Sequence, residues 1–173
     1  MNLAYKNLLP EDFSPGSRVW IYQCNRLLSM SEVLEADAIL QEFVAQWNSH
    51  GAPVKGFASI FFGQFIIVMA DEDVTGVGGC STDSSVRVIK QLEQKFQVNL
   101  FDRQLLALVV KDKIQLLPLA QLKPAVDNGF VTGDTLYFNN TVPTKATLEE
   151  KWIIPVSESW LATRLDLTGK AAI

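Results

Sequence analysis

The sequence predicts an α+β protein: a ferredoxin-like βαββαβ antiparallel sheet with a C-terminal extension. Three observations lead there. Between Ser17 and Val110, apolar β-rich runs and amphipathic stripes follow the order strand, helix, strand, strand, helix, strand, the order of the split β-α-β class. The chain has 173 residues, 48% of them hydrophobic and 20% charged, enough to bury a core without disulfides or metals. Finally, Leu105–Val110 is apolar at every position, and Val19 and Ile21 alternate with Trp20 and Tyr22. An open sheet face would be polar at alternate positions, so both faces of this sheet should be covered.

The elements follow in order. Ser17–Cys24 comes after the breaker pair Pro15-Gly16 and is rich in β-branched and aromatic residues, which marks a first strand. Ser29 and Glu32 have capping-box spacing, and Val33, Ala36, Leu40, Phe43, Val44 and Trp47 then recur at three- and four-residue steps. That is the stripe of an amphipathic helix, ended by Asn48, Gly51 and Pro53. Val54–Phe62 and Phe65–Ala70 flank Gly63-Gln64, which suits a type II′ hairpin with Gly63 at positive φ. Asp71–Gly79 reads as a loop. Asp83 or Ser81 can cap a second helix to about Phe96, with Ser85, Val88, Ile89, Leu92 and Phe96 inward. Gln104–Val110 is a further strand, and a turn at Asp112-Lys113 leads to a short partner, Ile114–Leu117.

Residues 1–117 form the α+β core in this reading. Residues 118–173, punctuated by Pro118, Pro124, Pro143 and Pro155, form an extension packed on the core or on a partner subunit. It contains a strand-like Thr135–Phe138 and short helices from Thr144 and after Ser157. Through Leu136, Phe138, Trp152, Ile154 and Trp160 it could cover the sheet face that the helices leave open. A second copy of the chain is the competing cover, which makes a homo-oligomer the expected partner.

Composition excludes several function classes. A net charge of −4 and a pI near 5.0 argue against nucleic-acid binding by phosphate neutralisation. Two cysteines and one histidine are too few for a Cys/His zinc site, and no motif implies a cofactor. Met1–Ser17 lacks the basic and apolar regions of a signal peptide, and no apolar run approaches the roughly 20 residues of a membrane span. The expectation is a soluble cytoplasmic protein with Cys24 and Cys80 as free thiols.

The sharpest local signal is Gly76-Val77-Gly78-Gly79-Cys80-Ser81-Thr82-Asp83-Ser84-Ser85. Glycines allow close backbone approach, and the run opens onto a helix N-terminus, whose free N–H groups attract anions. Gly78, Gly79, Cys80, Ser81, Ser84 and Ser85 are the candidate anion-binding residues. Cys80 and Asp83 are the candidate catalytic residues, since a thiol at such a place can become a reactive thiolate. A flexible turn with a helix cap, and Cys80 packed as a small hydrophobe, is the plainer reading. Walker A is absent: Gly169-Lys170 is followed by Ala171. The cysteine-phosphatase loop needs five residues between Cys and Arg, whereas six separate Cys80 from Arg87, about 100° of helix rotation away.

Other residues invite readings of their own. His50 should lie at the same sheet end as Cys80, so a Cys–His pair is permitted, with a solvated helix-end histidine the alternative. Cys24 should lie at the opposite end, out of disulfide reach of Cys80. Asn25-Arg26 and Asp102-Arg103 should be neighbours there, either as a pocket with two guanidinium groups or as Asp102 pairing with Arg26 or Arg103. Asp71-Glu72-Asp73 reads as a solvated turn rather than a cation site. Trp20 and Tyr22 read as core or interface rather than RNA-stacking aromatics.

Val19-Trp20-Ile21-Tyr22-Gln23, Gly79–Ser85, Phe101-Asp102-Arg103, Phe138-Asn139-Asn140 and Trp152–Trp160 together resemble a family of small uncharacterised bacterial proteins, mainly from Bacteroidota. Many members carry the label of ABC-transporter ATPase, which the missing Walker A element contradicts here. The resemblance implies a family and no catalytic set. Two functions remain in competition: a non-enzymatic, self-associating binding protein, and a thiol- or anion-dependent enzyme centred on Cys80, Ser81, Asp83 and Ser84. A small anionic ligand bound beside residues 78–85 would favour the second and a buried, ligand-free thiol the first; nucleic-acid binding ranks last.

Overall fold

Ser29 starts helix α1 (Met30–Gln46): its hydroxyl accepts from the Glu32 N–H while the Glu32 carboxylate accepts from the Ser29 N–H, a complete capping box. The computed structural model describes residues 1–165; residues 166–173 of the expected extension lie outside them. By compactness the chain divides into two units, a larger one of Ala4–Asp102 with Asn140–Glu149 and a smaller one of Met1–Leu3, Arg103–Asn139 and the chain from Glu150 onward. The sequence places its break after residue 117; the units divide at 102/103.

The larger unit holds β1 (Arg18–Gln23), α1, a two-residue ribbon of β2 (Asn48–Ser49) and β3 (Ala52–Pro53), β4 (Lys55–Phe61), β5 (Phe65–Asp71) and α2 (Gly79–Phe96). Its main sheet is antiparallel in the order β1-β5-β4. β5 is buried at all seven positions, as befits a central strand. Trp20, Tyr22, Ala58, Ile60, Ile66, Val68 and Ala70 form a core with α1 (Ala36, Leu40) and α2 (Val88, Ile89, Leu92). The opposite face presents Val19, Phe61, Phe65, Ile67 and Met69, all buried within the single chain. On that face Phe13 meets Phe57 edge-on at 6.5 Å, and Asn140 Nδ2 donates to Gln23 Oε1 at 2.8 Å. Residues on both faces of this three-stranded sheet are buried.

The βαββαβ order of elements is present, but the sheet of the larger unit has three strands. The sixth element, β6 (Leu105–Val110), pairs with β7 (Lys113–Pro118) and β8 (Leu136–Phe138) in the smaller unit, whose sheet runs β7-β6-β8-β9 with β9 at Ile153–Pro155. β7 takes one edge of β6 through a two-residue turn whose closure costs little entropy, and β8 takes the other, so both edges of β6 are used within the smaller unit. Leu106, Leu108, Leu117, Leu122, Val131, Tyr137, Val156 and Leu161 make the smaller unit's own core, with α3 (Leu122–Asp127) and α5 (Leu161–Arg164) contributing. The free edge of β1 is used elsewhere. Val19 N–H donates to Pro143 O at 2.9 Å, Lys145 N–H donates to Ser17 O at 2.8 Å, and Arg18 bridges Thr144, just before α4 (Lys145–Lys151).

Both expected hairpin turns sit one residue earlier than the sequence suggests. Phe62 (φ 55°) and Gly63 (φ 64°) are the central residues of the first, closed by Gln64 N–H to Phe61 O at 3.1 Å. Positive φ at both places is the signature of type I′, not II′. Lys111 (φ 51°) and Asp112 (φ 59°) do the same between β6 and β7. A third such turn, His50 (φ 52°) with Gly51 (φ 83°), joins β2 to β3.

Asp71 is no solvated turn residue. Its carboxylate is buried and accepts from Lys55 Nζ (3.1 Å), Ser14 N–H (3.2 Å), Ser14 Oγ (3.1 Å) and Asp73 N–H (3.3 Å). Burial pushes the carboxyl's pKa up; the Lys55 ammonium and the Ser14 and Asp73 donors outweigh it, and the net direction is down. Trp20 and Tyr22 belong to the core and stack edge-on with Trp47 (6.3 Å) and Phe101 (5.4 Å).

Candidate groove between two helices

The C-terminal end of α1 and the N-terminal end of α2 meet in the larger unit. Trp47 Nε1 donates to Ser81 O at 3.0 Å, and Ser81 Oγ donates to Asn48 O at 3.0 Å. At the other end of the helix pair, Lys95 reaches Glu35 at 3.1 Å. The helices therefore run side by side in opposite directions. An open groove of about 570 Å³ follows their seam.

α2 starts earlier than the sequence suggests. Gly78 is its N-cap and gives no side-chain bond, so neither Ser81 nor Asp83 caps it. The N–H groups of Gly79, Cys80 and Ser81 have no carbonyl one turn back to bond. Thr82 N–H and Oγ1 both donate to Gly78 O. Gly78 is also a close-approach point: a Cβ there would stand 3.1 Å from His50 Nε2. The imidazole thus lies beside the helix start.

The α2 side of the groove is the stripe Cys80, Ser84, Arg87, Gln91, spaced four, three and four residues apart, with Val88 beside it. The α1 side is Ile39, Glu42, Phe43 and Gln46. His50 closes one end and Trp47 backs it. The Trp47 ring is fixed: it is 3% exposed, lies 5.0 Å from Phe43, and rests on Gly56, where a Cβ would meet it at 2.6 Å. Among the described residues the side chains of Arg87 and Glu42 have no ion-pair or hydrogen-bond partner. The tilt of helical Cα–Cβ bonds leans Arg87 toward the first turn of its own helix.

The structure distributes the sequence candidates unevenly. Cys80 is exposed on the groove with His50, but no hydrogen bond joins them. Ser84 lines the groove while its hydroxyl donates to Ser81 O at 2.7 Å. Ser81 lines the groove but is buried, its hydroxyl on Asn48 O, and Ser85 is buried with Oγ on Thr82 O at 2.7 Å. Gly79 and Asp83 are exposed and do not line the groove. Ser49 Oγ, beside His50, is the buried side-chain polar atom that lacks a hydrogen-bond partner among the described residues. Cys24 is buried and free, and burial pushes its thiol pKa up.

At the far end of α2, Arg26 pairs with Glu32 through two bonds of 2.9 and 2.8 Å and donates to Phe96 O at 2.8 Å. It is thus Glu32, on the same unit, that takes the guanidinium. Asn25 Oδ1 accepts from Asn99 N–H, and Asn99 Oδ1 accepts from Phe101 and Asp102 N–H. The described residues hold no cluster of three or more His, Cys, Asp or Glu that could bind a metal, and no helix long and apolar enough to cross a membrane.

Arg87, Ile39, Glu42, Phe43 and Gln46 were not legible as groove residues. In the sequence Arg87 stands out only through its distance from Cys80, and Phe43 reads as core. The available signal was the polar 80/84/87/91 stripe. Comparison with family models, with curated proteins and with solved structures finds no match.

Proposed function

We propose that this is a non-enzymatic binding protein that takes a small anion in the groove between α1 and α2. The observation that carries the reading is Arg87: an unpaired guanidinium in the groove that also takes in His50 and, about two turns away, the start of α2, which has no side-chain cap. Guanidinium and backbone N–H donors suit carboxylate, sulfate or phosphate oxygens. The broader reading has two parts. The larger unit is a ferredoxin-like variant, supported by its helix–strand order and the β1-β5-β4 arrangement. The protein is a cytoplasmic one akin to the Bacteroidota family, supported by the sequence stretches that resemble it.

The test is a titration of ¹⁵N-labelled protein with sodium sulfate at constant ionic strength. The expected result is saturable shifts at Gly79, Cys80, Ser81 and His50, and about tenfold weaker binding in Arg87→Gln, as loss of a charged hydrogen bond implies. Absence of saturable shifts, or identical affinity in the variant, overturns the reading.

A thiol-dependent reaction is the second reading, supported by the exposed Cys80 sharing the groove with His50. Alkylation rate against pH decides it: a midpoint near the free-thiol value of about 8.5 marks an ordinary cysteine.

A further inference from the structure

The groove has two kinds of wall, and an inorganic anion uses only one of them. His50 and Cys80 lie at one end, and Arg87 follows about two turns along α2 from Cys80. Ile39 and Phe43 on α1 and Val88 on α2 supply an apolar strip alongside. Ile39 and Phe43 pack on the core with one side and keep part of their surface on the groove. From Ser84 to Gln91 the groove follows seven residues of helix, about 10 Å. Glu42 on the α1 rim repels every acid group in the groove, and so a ligand with two acids more than a ligand with one.

We infer that the groove's ligand is an amphipathic monoanion, with an acid head on Arg87 and a short apolar tail along Ile39, Phe43 and Val88. The inference rests on the anion-binding reading above and names its ligand class. Head and tail contribute separately. The head sets a charge requirement shared by all members of the class. The tail adds affinity with each methylene it takes out of water.

A series of alkane sulfonates, from ethane to octane, separates the two, because their charge is constant across neutral pH. Calorimetry on the intact chain should show affinity rising about fivefold for each two carbons added, less than full burial of methylenes gives because the groove is open. Phe43→Ala should flatten that rise. Ile39→Ala, which leaves the Phe43–Trp47 contact in place, should flatten it in a chain that keeps its core. Arg87→Gln should weaken every member by one common factor and leave the rise intact. Equal affinity for ethane- and octanesulfonate, both sensitive to Arg87→Gln, overturns the ligand class and leaves anion binding standing. No binding by any member overturns both. Binding that grows with the tail but ignores Arg87→Gln is plain apolar adsorption and also overturns the inference.

Discussion

The two ends of α2 are built on opposite plans. At its C-terminus, Gln97 takes a left-handed conformation (φ 50°) and its N–H bonds Glu93 O. Arg26 covers the Phe96 carbonyl while held by Glu32, Glu93 Oε1 accepts from Leu100 N–H at 2.6 Å, and Lys95 pairs with Glu35. At the N-terminus the cap is a glycine, and the anchors are the Trp47 indole and the Ser81 hydroxyl. A helix needs both ends satisfied. Here one end is closed by the protein itself and the other is left to solvent or ligand. The difference separates what holds the helix from what the helix offers.

The most disruptive way to break that contrast is Trp47→Ala. Removing a buried tryptophan costs about 3–5 kcal/mol, and here it also removes the bond to Ser81 O. Urea unfolding should show that loss, together with loss of sulfate binding. A smaller effect is expected at the closed end. Gln97→Gly relieves a left-handed side-chain conformation and should add about 1 kcal/mol, with the groove's affinity unchanged.

Acid sharpens the comparison next. The Arg26 guanidinium, with the Ser29 N–H and hydroxyl, pulls the Glu32 carboxyl down to about 2. Its folded pKa is depressed, so the stabilisation is complete above the unfolded value of about 4.3 and is lost as pH falls toward 2. Wild type and Glu32→Gln should therefore differ in urea midpoint at pH 7 and converge between pH 4.5 and 2. The smallest change in stability is expected from Gly78→Asp. A side-chain cap in place of glycine is worth only a few tenths of a kcal/mol, and the His50 ring must give way to the new Cβ. Anion affinity should nonetheless fall about tenfold, because the new carboxylate takes the same N–H groups. Unchanged affinity in this variant would place the anion elsewhere on the groove.

What the sequence reveals and what it hides follow the same division between local and distant. The α1 capping box is complete within four residues, so Ser29 and Glu32 announce it. The inward stripe of α2 is equally plain, and Ser85, Val88, Ile89 and Leu92 are buried as periodicity requires. The second partner of β6 is not local information: an all-apolar strand fits either sheet, and it is β8, from residues 136–138, that takes the edge β7 leaves open. The turn shifts have another cause. Phe62 and Lys111 stand at positive φ, which neither side chain advertises, while the neighbouring Gly63 and Asp112 attract the assignment. At the groove, topology alone brings His50 and Cys80 to one sheet end. Arg87 and Phe43 join them only once the angle between the two helices is known.

The closing of the β1 edge by Pro143, Thr144 and Lys145 has a consequence for how the chain is made. Residues 103–139 interrupt the larger unit in sequence, so during synthesis its first sheet waits, one border unpaired, until the whole insert has left the ribosome. Cleavage or a premature stop anywhere within that insert strands the nascent sheet with a bare strand border, the surface on which chains stick to one another.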